Sequence, residues 1–366
     1  MKRVIFLSFA LLILILSACS GSTEQTPPAV AEVTESPAPV PTEAPATPYV
    51  PPTPVEPVPV DITITAEPHT TETPPPTPSP SPTPVPTPSG LIGGKYKVFT
   101  SGDEEEGEEF YKSKNISITV RHCSDSEHYK NYIEYHVADI YIQDITLLRT
   151  GCAGDSFNSI VVDSVPNMAK KYGAILAVSG DYYAVNVGLV VRNGVMYSKS
   201  KDNQGRRDVC VIYRDGTVKN FVRRQYLVDD ILKDDPWQVF NFGPALLDDA
   251  GKAVKGLYLG VNANGINPRC IFGYYEPGHY ALIVIDGRNL LGSRGLDIDT
   301  LAKFAEDQGF KVAYNLDGGN SAVMCWKGEL FNNPSYGGRS ISDIIYLARE
   351  GQDNNAEPAN TEPAAE

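Results

Sequence analysis

The segment Asn315-Leu316-Asp317-Gly318-Gly319-Asn320-Ser321 carries a carboxylate out of an apolar run and into a two-glycine turn. Glycine tolerates positive φ and lets a ligand approach the backbone closely, so free amide N–H groups beside such a turn can face an anion. Taken alone, the same residues read equally well as an ordinary Asp-Gly turn between two strands. Three further stretches set an arginine beside glycine or proline next to an apolar run. They are Asn267-Pro268-Arg269, Asp286-Gly287-Arg288 and Pro334-Ser335-Tyr336-Gly337-Gly338-Arg339. A guanidinium is planar, permanently charged and suited to holding two oxygens of one phosphate. One acid at a glycine elbow with Arg269, Arg288 and Arg339 near it is therefore chemistry for a phosphate ester. Whether these groups meet in space is decided by the fold.

The elements that would have to gather them are mixed. Asn115–Val120 and Tyr132–Ile142 alternate like strands; Val165–Tyr172 reads as a short helix with Pro166 near its start, and Ala174–Ser179 as a buried strand. Asp208–Phe221 reads as a hairpin around Asp215-Gly216, and Arg269–Tyr275 with Tyr280–Ile285 as a second one. Ile298–Gln308 has helical periodicity, Asp297 as its N-cap and Gly309 after its end. Val312–Leu316, Ser321–Trp326 and Ser342–Ala348 read as strands. Strands outnumber helices without regular βαβ alternation. The expectation is an α+β fold, with a mixed, strand-rich sheet core, a few packing helices and a single domain over residues 91–350.

The flanks have different compositions. Of 30 prolines in the 366 residues, 22 lie between Ser20 and Gly90. That stretch has too few large apolar residues to offset chain entropy, so residues 20–90 are expected to be a disordered, polyproline-rich stalk. Residues 351–366 are expected to be a disordered acidic tail. Lys2-Arg3 precede an apolar run, Val4–Leu16, too short to span a bilayer comfortably and suited to a signal-peptide core over residues 1–19. It ends in Leu16-Ser17-Ala18-Cys19, which resembles the lipobox of bacterial lipoproteins. That resemblance implies a lipid on Cys19 and a membrane partner through the anchor, on the extracellular face of a bacterial cell. The net charge of −14 argues against a nucleic-acid partner. The five other cysteines show no zinc spacing; buried free thiols are expected, with one disulfide such as Cys123–Cys152 left open. His122, His128, His136 and His279 show no paired ligand spacing either. The sequence requires no cofactor, although calcium or another divalent ion held by oxygen ligands stays open.

NLDGGNSAVM, NPRCIFGYYEPGHYALIVIDGR, GLDIDTLAKFAEDQGF and NPSYGGRSISDIIYL stand in the order and spacing found in the phosphodiester glycosidase family, which this chain resembles over roughly Tyr172–Leu347. AVSGDYY (Ala177–Tyr183) and FGPALL (Phe242–Leu247) are similar to two further family segments. The resemblance implies a hydrolase that adds water at the anomeric carbon of a sugar-1-phosphodiester, freeing the sugar and a phosphomonoester. The partner would be a phosphorylated glycan or sugar phosphate of a cell wall or exopolysaccharide. It also implies roles: Arg269 and Arg339 on the phosphate with amides of Gly318 and Gly319, Asp317 at the oxocarbenium-like centre or on water, and Asn315 and Asn320 on sugar hydroxyls. Arg288 and Ser321 complete the set; Asp286 is the alternative carboxylate and Asp181 a third. Departures from the family pattern are Asn320 for a third glycine, Val323 for a threonine and Cys270 for a threonine. They keep open a non-catalytic glycan-binding lipoprotein on the same scaffold, while a metal-dependent phosphodiesterase cutting P–O is a second rival.

Overall fold

A computed structural model describes residues 99–349, apart from 101, 155, 158, 183–187 and 290. The leader with Cys19, the stalk, Tyr183 and the tail lie outside the described residues. What is described is strand-rich α+β, as the pattern predicts, and every strand pairing in it is antiparallel.

The largest sheet runs in the order β1 (Glu105–Gly107), β2 (Phe110–Lys112), β3 (Ile116–Asp125), β4 (Ile133–Ile142), β13 (His279–Ile285), β12 (Arg269–Glu276), β14 (Val312–Asn315). A second sheet runs β10 (Val218–Phe221), β9 (Val209–Tyr213), β11 (Pro236–Phe240), β7 (Val190–Arg192), β8 (Val195–Ser198). The third runs β16 (Glu329–Leu330), β15 (Met324–Trp326), β6 (Ala174–Ser179), β17 (Asp343–Ala348), β5 (Arg149–Cys152).

One core is common to all three, joining Ile140, Phe272 and Leu282 of the large sheet to Ile212 and Phe240 of the second and Val178, Met324 and Ile345 of the third. The other face of each sheet carries a helix. On the large sheet α4 (Ile298–Asp307) buries Leu301, Phe304 and Ala305 against Ile271, Ile283 and Ala313. On the third sheet α1 (Val165–Lys171) buries Met168 and Ala169 against Ala177, Ile344 and Tyr346. On the second, α2 (Val228–Leu232) buries Val228 and Ile231 against Val209, Val211 and Val239. Strands covered on both faces need apolar residues at every position. That is why AILAVS, VCVIY and DIIYLA are continuous apolar runs and not alternating ones.

Local signals hold where their chemistry is explicit. Asp297 accepts from the Thr300 amide at the start of α4, and Gly309 takes φ +76° at its end. Ser164 accepts from the Asn167 amide in front of Pro166-containing α1. Ser321–Trp326 does not form one strand: Gly319–Ser321 is a 3-10 turn, and strand pairing begins only at Met324. The reason is that the Ser321 carbonyl is held by the Ser179 hydroxyl instead of a ladder partner. Cys123, Cys152, Cys210, Cys270 and Cys325 are all free thiols, so the Cys123–Cys152 pair is not formed.

Candidate active site

Antiparallel register brings the scattered motifs to one edge. Arg269 opens β12 opposite Ile285, the end of β13, and Ile271 lies opposite Asn315, the end of β14. Arg269, the Asp286-Gly287-Arg288 turn and the Asn315–Ser321 segment therefore share that edge. In the third sheet Ile344 of β17 lies opposite Ser179, so the end of β6 and the stretch leading into β17, which carries Arg339, also lie together. The glycine elbow stitches the two edges. The Asp317 amide donates to Gly180 O at 3.1 Å, and the Leu316 amide to Cys270 O at 2.9 Å.

Both elbow glycines are required. A Cβ on Gly318 would stand 2.7 Å from the Pro268 carbonyl oxygen, a backbone atom with little room to move. Gly319 takes φ +61°, and a Cβ there would lie 3.0 Å from Arg288 Nη2.

A cavity of about 280 Å³ opens over the elbow, and Asn315, Asp317, Gly318, Gly319, Asn320, Arg269, Arg288 and Arg339 all line it. The three arginines are differently engaged. Arg269 is buried; its Nε donates to Leu296 O at 2.8 Å and its Nη2 to Gly265 O at 2.7 Å and Ala263 O at 2.9 Å. It thus ties down the end of the short helix α3 (Val261–Asn264), and burial lowers its pKa to about 10. Arg288 bridges Asn267 Oδ1, at 2.8 Å from Nη2, and Asn320 Oδ1. Arg339 is the most accessible of the ion-paired groups here, with a side chain 46% exposed. Its Nη2 lies 3.0 Å from Asp317 Oδ2, its Nε donates to Ser321 Oγ, and its guanidinium sits 5.4 Å over the Tyr182 ring. The Gly319 amide, expected to face a phosphate, instead donates to Pro268 O at 2.9 Å.

Among the described residues Asp317 is the only carboxylate lining the cavity. Burial pushes its carboxyl above the usual range, against hydrogen bonds from Ser321 and Arg339 and the Arg339 charge. Asn315 donates from Nδ2 to Gly243 O at 2.7 Å, while its buried Oδ1 has no partner among the described residues.

The other two candidate carboxylates stand elsewhere. Asp181 is fully buried, ion-paired with Arg192 and accepting from the Asn241 amide at 2.7 Å. Asp343 shares that arginine at 3.6 Å. Burial, then the Asp181 charge, push Asp343 up to about 7. This cluster supports the elbow from behind, and the Asp181 charge adds to the rise at Asp317. Asp286 lines a different cavity, of about 510 Å³. Its carboxylate accepts from His136 Nε2 at 2.8 Å, Asn332 Nδ2 at 2.7 Å and the Asn333 amide at 3.1 Å. His136 Nδ1 in turn lies 2.8 Å from His122 Nδ1. Burial, then His136, hold His122 below the usual imidazole range. Sequence spacing missed this pair because it is a cross-strand one, His122 opposite His136.

Phe242, Leu259 and Asn262 also line the elbow cavity. Phe242 belongs to the FGPALL segment, whereas GLYLGVNANG carries no periodicity and gave no signal. Among the described residues no three His, Cys, Asp or Glu side chains converge as an ion site.

Residues 172–348 match the phosphodiester glycosidase family. Over 200 residues the chain is 27% identical to the SPbeta prophage-derived uncharacterized protein YomE of Bacillus subtilis (strain 168), covering 53% of this chain and 31% of that protein. The chain thus spans less than a third of that relative's length. In fold it is similar to the zebrafish N-acetylglucosamine-1-phosphodiester alpha-N-acetylglucosaminidase catalytic domain auto-inhibited by its pro-peptide, at a TM-score of 0.51 and 20% identity over 68% of this chain and 88% of that one. The elbow, the three arginines and Asp317 all fall inside residues 172–348, the segment that matches the phosphodiester glycosidase family.

Proposed function

We propose that the elbow cavity hydrolyses a sugar-1-phosphodiester at the anomeric carbon. Water's oxygen bonds to that carbon, the bond from carbon to the bridging oxygen breaks, and the electron pair leaves with the phosphomonoester. The observation that carries this reading is the single carboxylate. Glycosidases ordinarily use two, one of them to protonate a poorly departing alcohol. A phosphomonoester has a second pKa of about 6 and departs without strong protonation. One carboxylate, Asp317, then suffices to take the proton from water while the cations hold the departing charge. Arg339 and Arg288 would flank the phosphate, with Arg269 adding positive potential from beneath. Asn315, on the cavity wall, would hold a sugar hydroxyl. Roles of this kind leave Asp286 and Asp181 as supports.

The test is hydrolysis of an α-N-acetylglucosamine-1-phosphodiester in heavy-oxygen water. Label in the sugar supports cleavage at carbon, and label in the phosphate establishes the rival phosphodiesterase. A second reading, a glycan-binding module, is favoured by one contact: Asn320 replaces a glycine of the family pattern and binds Arg288 across the elbow. Binding without turnover by the wild-type chain would establish it. The proposed setting is the outer face of a bacterial membrane, with lipid on Cys19 and a stalk of roughly 70 residues reaching up to about 200 Å. Loss of labelled-palmitate incorporation in Cys19→Ala tests that anchor.

A further inference from the structure

The second cavity, of about 510 Å³, is lined by a chain of hydrogen bonds that the elbow chemistry leaves unused. We propose that His136, on β4, is a positioning residue for the elbow: through Asp286 it sets where the Arg339 guanidinium stands against Asp317. The inference rests on the reading of the elbow given above. The proton inventory fixes the direction of the chain. The Asp286 carboxylate accepts on Oδ1 from Asn332 Nδ2 and on Oδ2 from the Asn333 amide. Facing that acceptor at 2.8 Å, His136 presents its Nε2–H. A neutral imidazole carries one N–H, so His136 Nδ1 is left an acceptor. His122 then donates to it from its own Nδ1 at 2.8 Å.

Aromatic packing closes the chain into a circuit. The His122 ring stacks on Phe331 at 4.1 Å between centroids, and His136 meets the same ring edge-on at 5.8 Å. Phe331 directly precedes Asn332, so both ends of the circuit arrive on the loop that leads from β16 to Arg339. Between Leu330 and Asp343 that loop contains one 3-10 turn and no strand, and Tyr336, Gly337 and Gly338 all take positive φ. Three of its fastenings converge on one turn: Asn332 and the Asn333 amide on Asp286, and Ser335 Oγ on Gly287 O at 2.8 Å. The backbone of that turn is set without His136, because the Asp286 amide donates to Glu134 O at 3.0 Å and Ser293 Oγ to Asp286 O at 2.6 Å. What His136 adds is the orientation of the carboxylate. Without the Nε2–H, the carboxylate is free to rotate and release the Asn333 amide. Both histidines lie outside residues 172–348.

The experiment titrates the Asp317 side-chain carboxyl of the full chain by carbon-13 NMR, with Asp317→Asn to assign it. Burial and the Asp181 charge raise that carboxyl, while Ser321 and Arg339 lower it, so a guanidinium that drifts away lets it rise. Arg269 and Arg288, which line the same cavity, are untouched by the substitutions. His136→Phe keeps an aromatic ring and loses both nitrogens. It should lift the Asp317 midpoint by about half a unit, part of the shift expected for Arg339→Met. His136→Gln returns an N–H near the Nε2 position and should restore the wild-type midpoint. In an Arg339→Met background His136→Phe should add nothing, because the group it acts through is gone. The proposal is overturned by a folded His136→Phe with the wild-type midpoint, by a shift that His136→Gln shares in full, or by one that persists without Arg339. Should His136→Phe fail to fold, His122→Ala loosens the His136 ring from its other side at an exposed residue, and no upward shift there refutes the proposal. Sugar release reads the same role through turnover: kcat should fall about tenfold in His136→Phe and recover in His136→Gln. If the wild-type chain cleaves no ester, the hydrolase reading fails, and the carboxyl titration still decides the role of His136.

Discussion

Replacing Arg339 with methionine removes the cation beside Asp317 and keeps most of the side-chain length. At that carboxyl burial pushes the pKa up, while Ser321 and Arg339 pull it down. With N and O 3.0 Å apart, Coulomb's law gives ~5.5 kcal/mol at an effective dielectric of ~20 and ~1.4 kcal/mol at ~80. Because the Arg339 side chain is 46% exposed, water screens the pair and the lower figure is the better guide. That corresponds to about one pH unit. In the proposed reaction Asp317 must be ionised to take a proton from water, so the acid limb of kcat/KM against pH should report its pKa in the free enzyme. Losing the cation favours the neutral carboxyl, and the limb should move upward by about one unit. The plateau should fall as well, because the departing phosphate loses a cation, and Arg339→Lys should restore part of both. Sugar release measured between about pH 4 and 9 reads these quantities. An acid limb at the wild-type position, or below it, would refute the pairing of Asp317 as base with Arg339 as its counter-ion.

Three other changes test separate parts of the site. Asp317→Asn should cut sugar release by about 10²–10⁴-fold and yet raise thermal stability. The folded pKa of Asp317 is raised, so its stability contribution is full below about pH 4 and lost as pH climbs through the folded value. The melting temperatures of variant and wild type should therefore coincide in acid and part toward neutrality; a variant that melts lower at neutral pH contradicts this. Gly318→Ala drives a Cβ to 2.7 Å from the Pro268 carbonyl and should destabilise by about 1–3 kcal/mol, visible as a lower urea midpoint. Asp343, raised to about 7 by burial and Asp181, makes wild-type stability decline from about pH 4 through that value. Asp343→Asn should flatten that decline in a pH series of melting curves, and an unchanged slope would remove Asp343 as its source.

Much of the site was legible because it is built from turn chemistry, which is local. Glycine at Gly318 and Gly319 answers contacts that no side chain could share, and Asp297 and Gly309 mark the ends of α4 by the same kind of local need. Pairing is a different matter. The motifs at Arg269, Asp286 and Asp317 could be placed at strand ends, but only the register of β12 against β13 and β14 puts those ends on one edge. Two-sided burial makes β6, β9 and β17 easy to recognise as strands and erases the alternation that would assign each to a sheet. Partner choice was equally hidden. Arg269 bears the right charge for a phosphate, yet the carbonyls of Leu296, Ala263 and Gly265 take it, and they come from segments with no periodic signal.

Asp286 shows how a residue beside the site can matter without entering it. Its carboxylate holds Asn332 and the Asn333 amide, and the Gly287 carbonyl next to it accepts from Ser335 Oγ at 2.8 Å. Asn332 also donates to Ala322 O at 3.0 Å and accepts from the Met324 amide at 2.8 Å, immediately after the elbow. The loop that ends in Arg339 is thus fastened to the Asp286 turn and to the elbow at once. His136 and His122 back the anchor from β4 and β3, strands that lie outside the segment matched to the family. The acid at the elbow and the guanidinium that counters it arrive from different sheets, so their 3.0 Å separation depends on this fastening. A charge pair held from two sides in this way keeps Asp317 ionisable in a buried place, which is the condition its proposed chemistry needs.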